Sequence, residues 1–502
     1  MMKSEKGQAL PLAILALTVG TLLVAPFLGH ASSSVIGSRI FGEAIDERGA
    51  CDAGVEHAIW RLVYDNLGDS IPTVGDHLTY QLPEAINGVT PTITVTTNAS
   101  GGGSGVTGKI TGKIDTYEFD TFSGYEPDIV QVSGDVYAVA YRGYGNQGYL
   151  KTISIAADGT ITHMTISTLT LDTTCYEPKI IKISDTVYAI AYRGSSNHGY
   201  LKTFYVSSNG YIWPYTISSY TFDTGTCFTP DMINVSGNIY AIIYRGGSNR
   251  GYVKTVSIAT NGIITQSTIS TLNFDNAGTT PKIIPVSGNV YAIVYESSGN
   301  RCTIKTINIA VNGTISQVII SSLVFENSNG ADPTLFNVSG NIYAVLYTGS
   351  SSYGYVKTVS ITTNGVISQT IIDTLNYGVV FYTPYVIPVM GGIFITVGRT
   401  TNYNGLARTI GIAADGSITN GNISSFTFDT SGYEPTIVQV ASDVYAIAYR
   451  GPGSDGFITT IGLVTGTGEN IYGILAAAGT TSIQAYVSIA GSTASILSWQ
   501  IS

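Results

Sequence analysis

Seven prolines, Pro127, Pro178, Pro230, Pro281, Pro333, Pro384 and Pro435, stand 51 or 52 residues apart in a chain of 502 residues. Each follows Tyr-Glu or a variant of it, and each is followed by an apolar run: VYAVAYRG from Val136, VYAIAYRG from Val187, IYAIIYRG from Ile239, VYAIVYES from Val290, IYAVLYTG from Ile342 and VYAIAYRG from Val444. The sixth copy has decayed to IFITVGRT from Ile393. Such a period marks a supersecondary unit that buries its apolar face on its neighbours. GYLKTISI or a variant comes next, then a turn at Asp158-Gly159, Asn209-Gly210, Asn261-Gly262, Asn312-Gly313, Asn364-Gly365 or Asp415-Gly416. Asn-Gly or Asp-Gly between β-rich runs is a strong hairpin signal. Each unit therefore reads as four antiparallel strands, and the second is apolar on both faces, as in a sheet covered on both sides. Repeated four-stranded sheets of this kind are β-propeller blades.

Counting the strands predicts how the ring closes. The proline-led strand, the VYA strand and the YLKT strand each occur seven times, whereas the fourth strand follows only six hairpin turns. Its Phe-Asp ending also occurs before any first strand, at Ile114 to Asp120. The last blade is thus expected to take its outermost strand from the N-terminal side. The chain then enters and leaves on the face carrying the Asn-Gly turns, and the loops around Phe122 to Glu126 and Arg142 to Gly148 lie on the opposite face.

Charged residues make up 11% of the chain, against about 25% in an ordinary soluble domain. The net charge of −10, with only 23 Lys and Arg, offers no basic stripe to a nucleic acid. The charge deficit belongs to the repeats. Residues 9–28, ALPLAILALTVGTLLVAPFL, carry no charge, and a helix of that length spans a hydrocarbon core of about 30 Å. Lys3 and Lys6 precede the run and Arg39 is the next basic residue after it. The positive-inside bias puts the N-terminus in the cytoplasm and the bulk outside, as a single-pass protein of the cell membrane. A cleaved secretory signal, with Gly29-His30-Ala31 as a small-x-small site, is the competing reading, and it also exports the chain.

The leader Lys3-Ser4-Glu5-Lys6-Gly7 followed by Gln8-Ala9-Leu10-Pro11-Leu12 resembles the start of type IV pilin-like proteins, notably minor pilins of the PilX type and pseudopilins. The resemblance implies a prepilin peptidase cut between Gly7 and Gln8. It also implies pilus or pseudopilus subunits as partners and a helical stalk carrying a small antiparallel sheet. Major pilins have glutamate at the fifth mature position. Leu12 stands there in this chain, which suits a tip or accessory subunit better than a filament shaft.

An amphipathic pattern follows, with Ile36, Ile40, Ala44, Val55, Ile59 and Leu62 at helical spacing and Gly49 as a predicted kink. Strands are expected at His77 to Leu82 and Thr90 to Thr97, then a break at Gly101-Gly102-Gly103-Ser104-Gly105. After Leu463, three further strands are expected at Ile471 to Ala477, Thr481 to Ala490 and Ala494 to Ile501. A lone sheet this small would be marginal. The tail should therefore pair with the strands before the linker. The ending Ile496-Leu497-Ser498-Trp499-Gln500-Ile501 also resembles the final strand of pilin-like subunits.

The expected fold is mainly β: a seven-bladed β-propeller inserted in a small pilin-like α+β domain with an N-terminal transmembrane helix. The segments are a leader (1–7), a transmembrane helix (8–30), stalk helix and first strands (31–99), linker (100–112), propeller (113–463) and completing strands (464–502).

Chemistry-bearing residues recur in register. Tyr125-Glu126, Tyr176-Glu177 and Tyr433-Glu434 open first strands, and Arg142, Arg193 and Arg450 end second strands in the same repeats, with Arg245 at the equivalent place in a repeat lacking the glutamate. Antiparallel pairing sets these ends side by side, so cross-strand ion pairs are one reading. A rim of Tyr, Glu and Arg that holds a glycan or protein ligand is the other, because aromatics stack on sugar faces and charges fix orientation. Asp120, Asp172, Asp223, Asp275 and Asp429 are expected to cap loops, and Lys151, Lys202, Lys254, Lys305 and Lys357 to sit on solvated strand edges. Cys175 and Cys227, at matching places in adjacent repeats, are positioned for a disulfide in an oxidising exterior.

No phosphate loop, nucleophile elbow or metal-ligand spacing occurs. No cofactor, metal or catalytic residue is expected. Three functions stay open: surface adhesion or ligand binding, an extracellular enzyme acting on polysaccharide, and a purely structural surface protein. Gly7→Asp is expected to leave residues 1–7 attached, read as intact mass; a mature chain still beginning at Gln8 would remove the prepilin reading.

Overall fold

The sevenfold register of the sequence appears in three dimensions as seven four-stranded antiparallel sheets. The computed structural model describes residues 39–65, 67–71, 75–82, 84–99, 108–464, 470–479, 481–490 and 493–501. The leader and the apolar run at 9–28 lie outside them. Among the described residues no helix is long and apolar enough to cross a membrane. The chain divides into two compact units, one built from both ends of the chain and one from residues 105–467.

The second unit is the β-propeller. In blade 1 the strands are Tyr125–Ser133, Val136–Arg142, Gly148–Ser154 and Ser167–Asp172, joined in that order. Blade 7 combines Tyr433–Ala441, Val444–Arg450 and Gly456–Val464 with Lys109–Asp120. This clasp is the displaced strand counted from the sequence, although it begins at Lys109 rather than Ile114. Lys109 pairs directly with Val464, so the chain enters and leaves the disc at one point.

Two repeated kinds of hydrogen bond join neighbouring blades. In the first, the tyrosine one before the end of the second strand and the lysine of the third strand converge on the acid that closes the preceding blade. Tyr141 Oη donates to Asp120 Oδ2 at 2.6 Å, and Lys151 Nζ donates to the same oxygen at 3.0 Å and to the Phe119 carbonyl at 2.6 Å. Asp172 with Tyr192 and Lys202, Asp223 with Tyr244 and Lys254, Asp275 with Tyr295 and Lys305, and Glu326 with Tyr347 and Lys357 repeat the arrangement.

The lysines are therefore not solvated edge residues: the side chain of Lys151 is 14% exposed and that of Lys202 16%. A packed neighbour blade covers what looks like an edge in one unit. The aspartates do cap their loops, as Asp120 does through Oδ1 to the amides of Phe122 and Ser123. The second bond runs from a third-strand threonine to the hairpin glycine carbonyl of the next blade. It recurs around the whole ring from Thr152 to Gly210 (2.5 Å) through Thr460 to Gly159 (2.6 Å), with Thr409 reaching Gly108 beside the clasp.

Blade 6 departs from this pattern. Gly398 replaces the tyrosine and Arg408 the lysine, and Arg408 Nη1 donates to the Tyr377 carbonyl at 2.9 Å. A Cβ at Gly398 would meet the Phe381 ring at 2.7 Å, so Phe381 fills the space of the missing tyrosine. Phe381 stands at the place taken by Cys175 and Cys227 in blades 1 to 2 and 2 to 3. Those two cysteines are not bridged. All four cysteines are free and buried, and these two belong to different inter-blade cores. Burial pushes both thiols well above their ordinary pKa.

The first unit packs helix α1 (Arg39–Tyr64) on a five-stranded antiparallel sheet. Cys51, Val55, Ala58, Ile59 and Leu62 recur at spacings of three and four and meet Ile93, Val95, Ile474, Ala476, Ile483, Ala485 and Val487. The helix runs unbroken through Gly49, where a kink was expected. Gly54 is the glycine that matters to packing, because a Cβ there would lie 3.0 Å from Ile93 and 3.2 Å from Ala476. The sheet order is His77–Gln81, Thr92–Ala99, Asn470–Ala478, Thr481–Ala490 and Thr493–Ile501. Its middle pairing, Thr92 with Ala477 through Thr97 with Tyr472, joins the segments on either side of the propeller. The propeller is thus an insertion in this sheet.

The inter-blade acids give a testable pH dependence. Burial alone would raise the Asp223 carboxyl, but hydrogen bonds from Tyr244 and Lys254 overcome it and hold the group below its ordinary value. A depressed folded pKa means stability that is present above the unfolded value of about 4 and lost as pH falls through the folded one. Asp223→Asn is expected to cost about 2 kcal/mol in denaturant unfolding at pH 7, because it leaves a largely buried lysine without its counter-ion. The gap from the wild type should close below about pH 4; a pH-independent gap would refute the ion-pair account.

Candidate functional site: the axial mouth

At the inner start of every blade, the residue before the repeat proline adopts a left-handed backbone: Glu126 (φ 52°), Glu177 (53°), Thr229 (47°), Thr280 (45°), Asp332 (47°), Thr383 (46°) and Glu434 (51°). A residue preceding proline is ordinarily held in the extended region, so seven such positions are costly. Each lies in a β-bulge. Tyr125 pairs with Arg142 and the next pair is Asp128 with Ala140, so Glu126 and Pro127 face one residue of the partner strand.

In three blades the bulged carboxylate reaches two neighbours at once. Glu126 accepts from Arg142 Nε at 3.1 Å and Nη2 at 3.3 Å, and its Oε2 accepts the Glu177 amide of the next blade at 2.8 Å. Glu177 binds Arg193 and the Thr229 amide (2.9 Å), and Glu434 binds Arg450 and the Glu126 amide (2.9 Å). Each arginine also stacks on the aromatic ring of its own blade and on that of the next. The Arg142 guanidinium lies 4.2 Å from the Tyr125 ring centre and 4.9 Å from Tyr176; Arg193 lies 4.1 Å from Tyr176 and 4.6 Å from Phe228; Arg450 lies 4.0 Å from Tyr433 and 4.5 Å from Tyr125.

The residues singled out in the sequence therefore converge on one face, and in blades 7, 1 and 2 their charges satisfy one another. Arg245 sits at the same level over Phe228 (4.1 Å) but has Thr229 where a glutamate would be.

A cavity of about 220 Å³ opens among these bulges on the propeller axis, lined from all seven blades. Its identity comes from residues that escaped the sequence reading, those directly after each repeat proline. Among them are Asp128, Lys179, Asp231, Lys282 and Tyr385. Lys179 Nζ donates to the buried Asp128 Oδ1 at 2.8 Å and lies 5.5 Å from the ring centre of Tyr385, which comes from blade 6. These side chains meet across the axis. Burial disfavours the Lys179 ammonium, but Asp128 and then Tyr385 and Asp231 hold its pKa above the ordinary value.

Burial pushes the Asp332 carboxyl up, despite its bond from the Thr383 amide and the nearby Lys282 and Arg399. Glu296 is raised by burial and then by Asp332. The hydroxyls of Thr229, Thr280 and Thr383 are buried without a hydrogen-bond partner. The mouth thus has a self-satisfied half in blades 7, 1 and 2 and unpartnered hydroxyls in blades 3, 4 and 6. The signal for this was in the sequence: the residues beside each proline vary while the frame around them repeats. Among the described residues no three metal-ligating side chains cluster.

No protein-family model matches the chain, and no curated protein matches it. Among solved structures, it is similar to the periplasmic gluconolactonase PpgL of Pseudomonas aeruginosa, with 12% identity, 57% of this chain and 80% of that chain covered, and a TM-score of 0.44. It is also similar to BBS1N in complex with ARL6DN, with 11% identity, coverage of 72% and 99%, and a TM-score of 0.45. Both are β-propeller proteins.

Removing one ring carboxylate tests the mouth's internal bonding. Glu126→Ala leaves the Arg142 guanidinium and the Glu177 amide without their acceptor, and is expected to destabilise the propeller by about 2 to 3 kcal/mol in denaturant unfolding. Glu126→Gln should cost less, since an amide oxygen still accepts. No loss in either variant would mean that the carboxylate bonds contribute nothing.

Proposed function

We propose that this protein is a cell-surface binding protein. An N-terminal helix anchors it in a membrane or pilus as a pilin-like accessory subunit, and the propeller presents its axial mouth to a glycan or protein ligand. One observation carries the binding reading: the axial cavity is lined by residues that break the sevenfold repeat and leave polar groups without partners. A purely structural ring has no use for such an asymmetric, costly lining, because each unsatisfied buried group works against folding. Exposed aromatics on the same face, Phe122 at 74% and Tyr144 at 72%, suit contact with a larger ligand around the mouth.

The anchoring half of the proposal rests on the uncharged run at 9–28 and the leader ending at Gly7. It is supported by the helix-on-antiparallel-sheet build of the first unit, in which the propeller interrupts the sheet between Ala99 and Asn470. Lys109 and Val464 are paired on the propeller face carrying the hairpin turns, opposite the face that holds the mouth.

A second reading, hydrolysis of polysaccharide, draws on Asp332 and Glu296, whose raised pKa values suit general acids. A glycan array probed with the full-length protein separates the two. Binding to a subset of glycans, weakened about tenfold or more by Lys282→Ala or Tyr385→Ala, is expected. Release of reducing ends from polysaccharide without retained binding would overturn the adhesive reading in favour of the enzyme.

A further inference from the structure

The ring of bulges binds a carboxylate the same way three times, and one blade keeps that site while lacking the carboxylate. The internal template consists of an arginine fork, the amide of the residue before the next repeat proline, and two aromatic walls. In blade 1 these are Arg142, the Glu177 amide, Tyr125 and Tyr176, and the occupant is Glu126. Blade 6 supplies the same parts. Arg399 lies 4.7 Å from the Tyr382 ring centre and 5.0 Å from Tyr433, and the next amide is that of Glu434.

The occupant's place falls to Thr383, which is too short to reach the guanidinium and whose Oγ1 is buried without a partner. Arg399 forms no ion pair among the described residues. Glu434 is already committed to Arg450 and the Glu126 amide, and Asp332 to the Thr383 amide. Blade 6 also adds a third ring. Tyr403, 53% exposed, stacks on Tyr433 at 5.5 Å and lies 5.5 Å from the Arg399 guanidinium, at a loop position where the other blades carry Asn or Ser.

Blade 3 is a poorer copy. Arg245 has one wall, Phe228, a long contact to Asn249 of 3.5 Å, and the charge of Glu296 nearby.

We infer that the slot between blades 6 and 7 binds the carboxylate of an external ligand, in the position that Glu126, Glu177 and Glu434 occupy in their own blades. Arg399 takes the carboxylate through its fork, the Glu434 amide and the Thr383 hydroxyl complete its hydrogen bonds, and the Tyr382, Tyr433 and Tyr403 rings pack against the group that carries it. A planar guanidinium held between aromatic rings is pre-organised for a bidentate partner, so little freedom is lost on binding. The inference rests on the ligand-binding reading above and deepens it, since an acidic sugar and a peptide C-terminus both present such a carboxylate.

The test uses the full-length protein titrated by calorimetry with glucuronate, with N-acetylglycine as a peptide-terminus mimic, and with glucose. Millimolar binding of glucuronate or N-acetylglycine, but not of glucose, is expected, and whichever acid binds more tightly identifies the source. Arg399→Lys should weaken it about tenfold, by losing the fork. Thr383→Glu is the decisive variant: it supplies the missing carboxylate from within, and should abolish binding while leaving the unfolding midpoint unchanged or higher. Acid binding that survives in Thr383→Glu, or wild-type protein that binds neither acid, would overturn the proposal. Acid binding by a protein that fails to adhere to any glycan surface would support this slot and remove only the adhesive reading.

Discussion

At five of the seven junctions of this propeller, neighbouring blades are held together by an acid that the next blade's tyrosine and lysine both address. Asp120, Asp172, Asp223, Asp275 and Glu326 accept a phenolic hydroxyl and an ammonium on the same oxygen, in a space where most of their water has gone. A carboxylate in such a place is tolerable only because it is fully bonded, and removing either donor leaves it short of a partner. The bond is therefore a registration device between sheets whose apolar faces would otherwise slide on one another. The threonine-to-glycine bonds do the same on the opposite face, and their course from Thr409 to Gly108 and from Thr460 to Gly159 carries the lock across the clasp.

The axial mouth depends on that frame. A left-handed residue before proline is an unfavourable conformation, and it persists seven times because neighbouring blades fix the strands on either side of each bulge. Once the bulges exist, their side chains point at the next blade and at the axis, and small changes there have large effects. Glutamate closes the circuit with arginine and the next amide. Threonine at the same place leaves the circuit open, and the arginines of blades 3 and 6 keep their aromatic seats without their counter-ions. The candidate site is set apart from the rest of the ring by gaps in a repeated bonding scheme.

Blade 6 illustrates how such a gap is carried without losing the fold. Its second strand has lost the inter-blade tyrosine, and the sequence marks it as the decayed copy. Phe381 occupies the vacated space, Arg408 reaches the Tyr377 carbonyl, and the Thr409 bond is intact. The copy that looked degraded is a repacked blade, and it holds an arginine without an ion pair among the described residues. The lysines were misread for a related reason: an edge position in one blade is an interior position once the next blade is laid against it.

The amino-acid sequence alone determined the repeat, the number of blades, the clasp and the pairing of the tail with the strands before the linker. These follow from local chemistry: apolar alternation, Asn-Gly turns and a count of strands that balances only if one is borrowed. It also placed Glu126, Glu177, Glu434 and their arginines on one face, because antiparallel pairing is periodic. Only the tertiary structure decided which of those charges are already spent. Closing the ring sets Lys179 of blade 2 against Tyr385 of blade 6 and Arg399 between Tyr382 and Tyr433, contacts between residues far apart in the chain and governed by no local period. Desolvation at the axis then separates paired groups from unpaired ones, a distinction that exists only where water has been excluded.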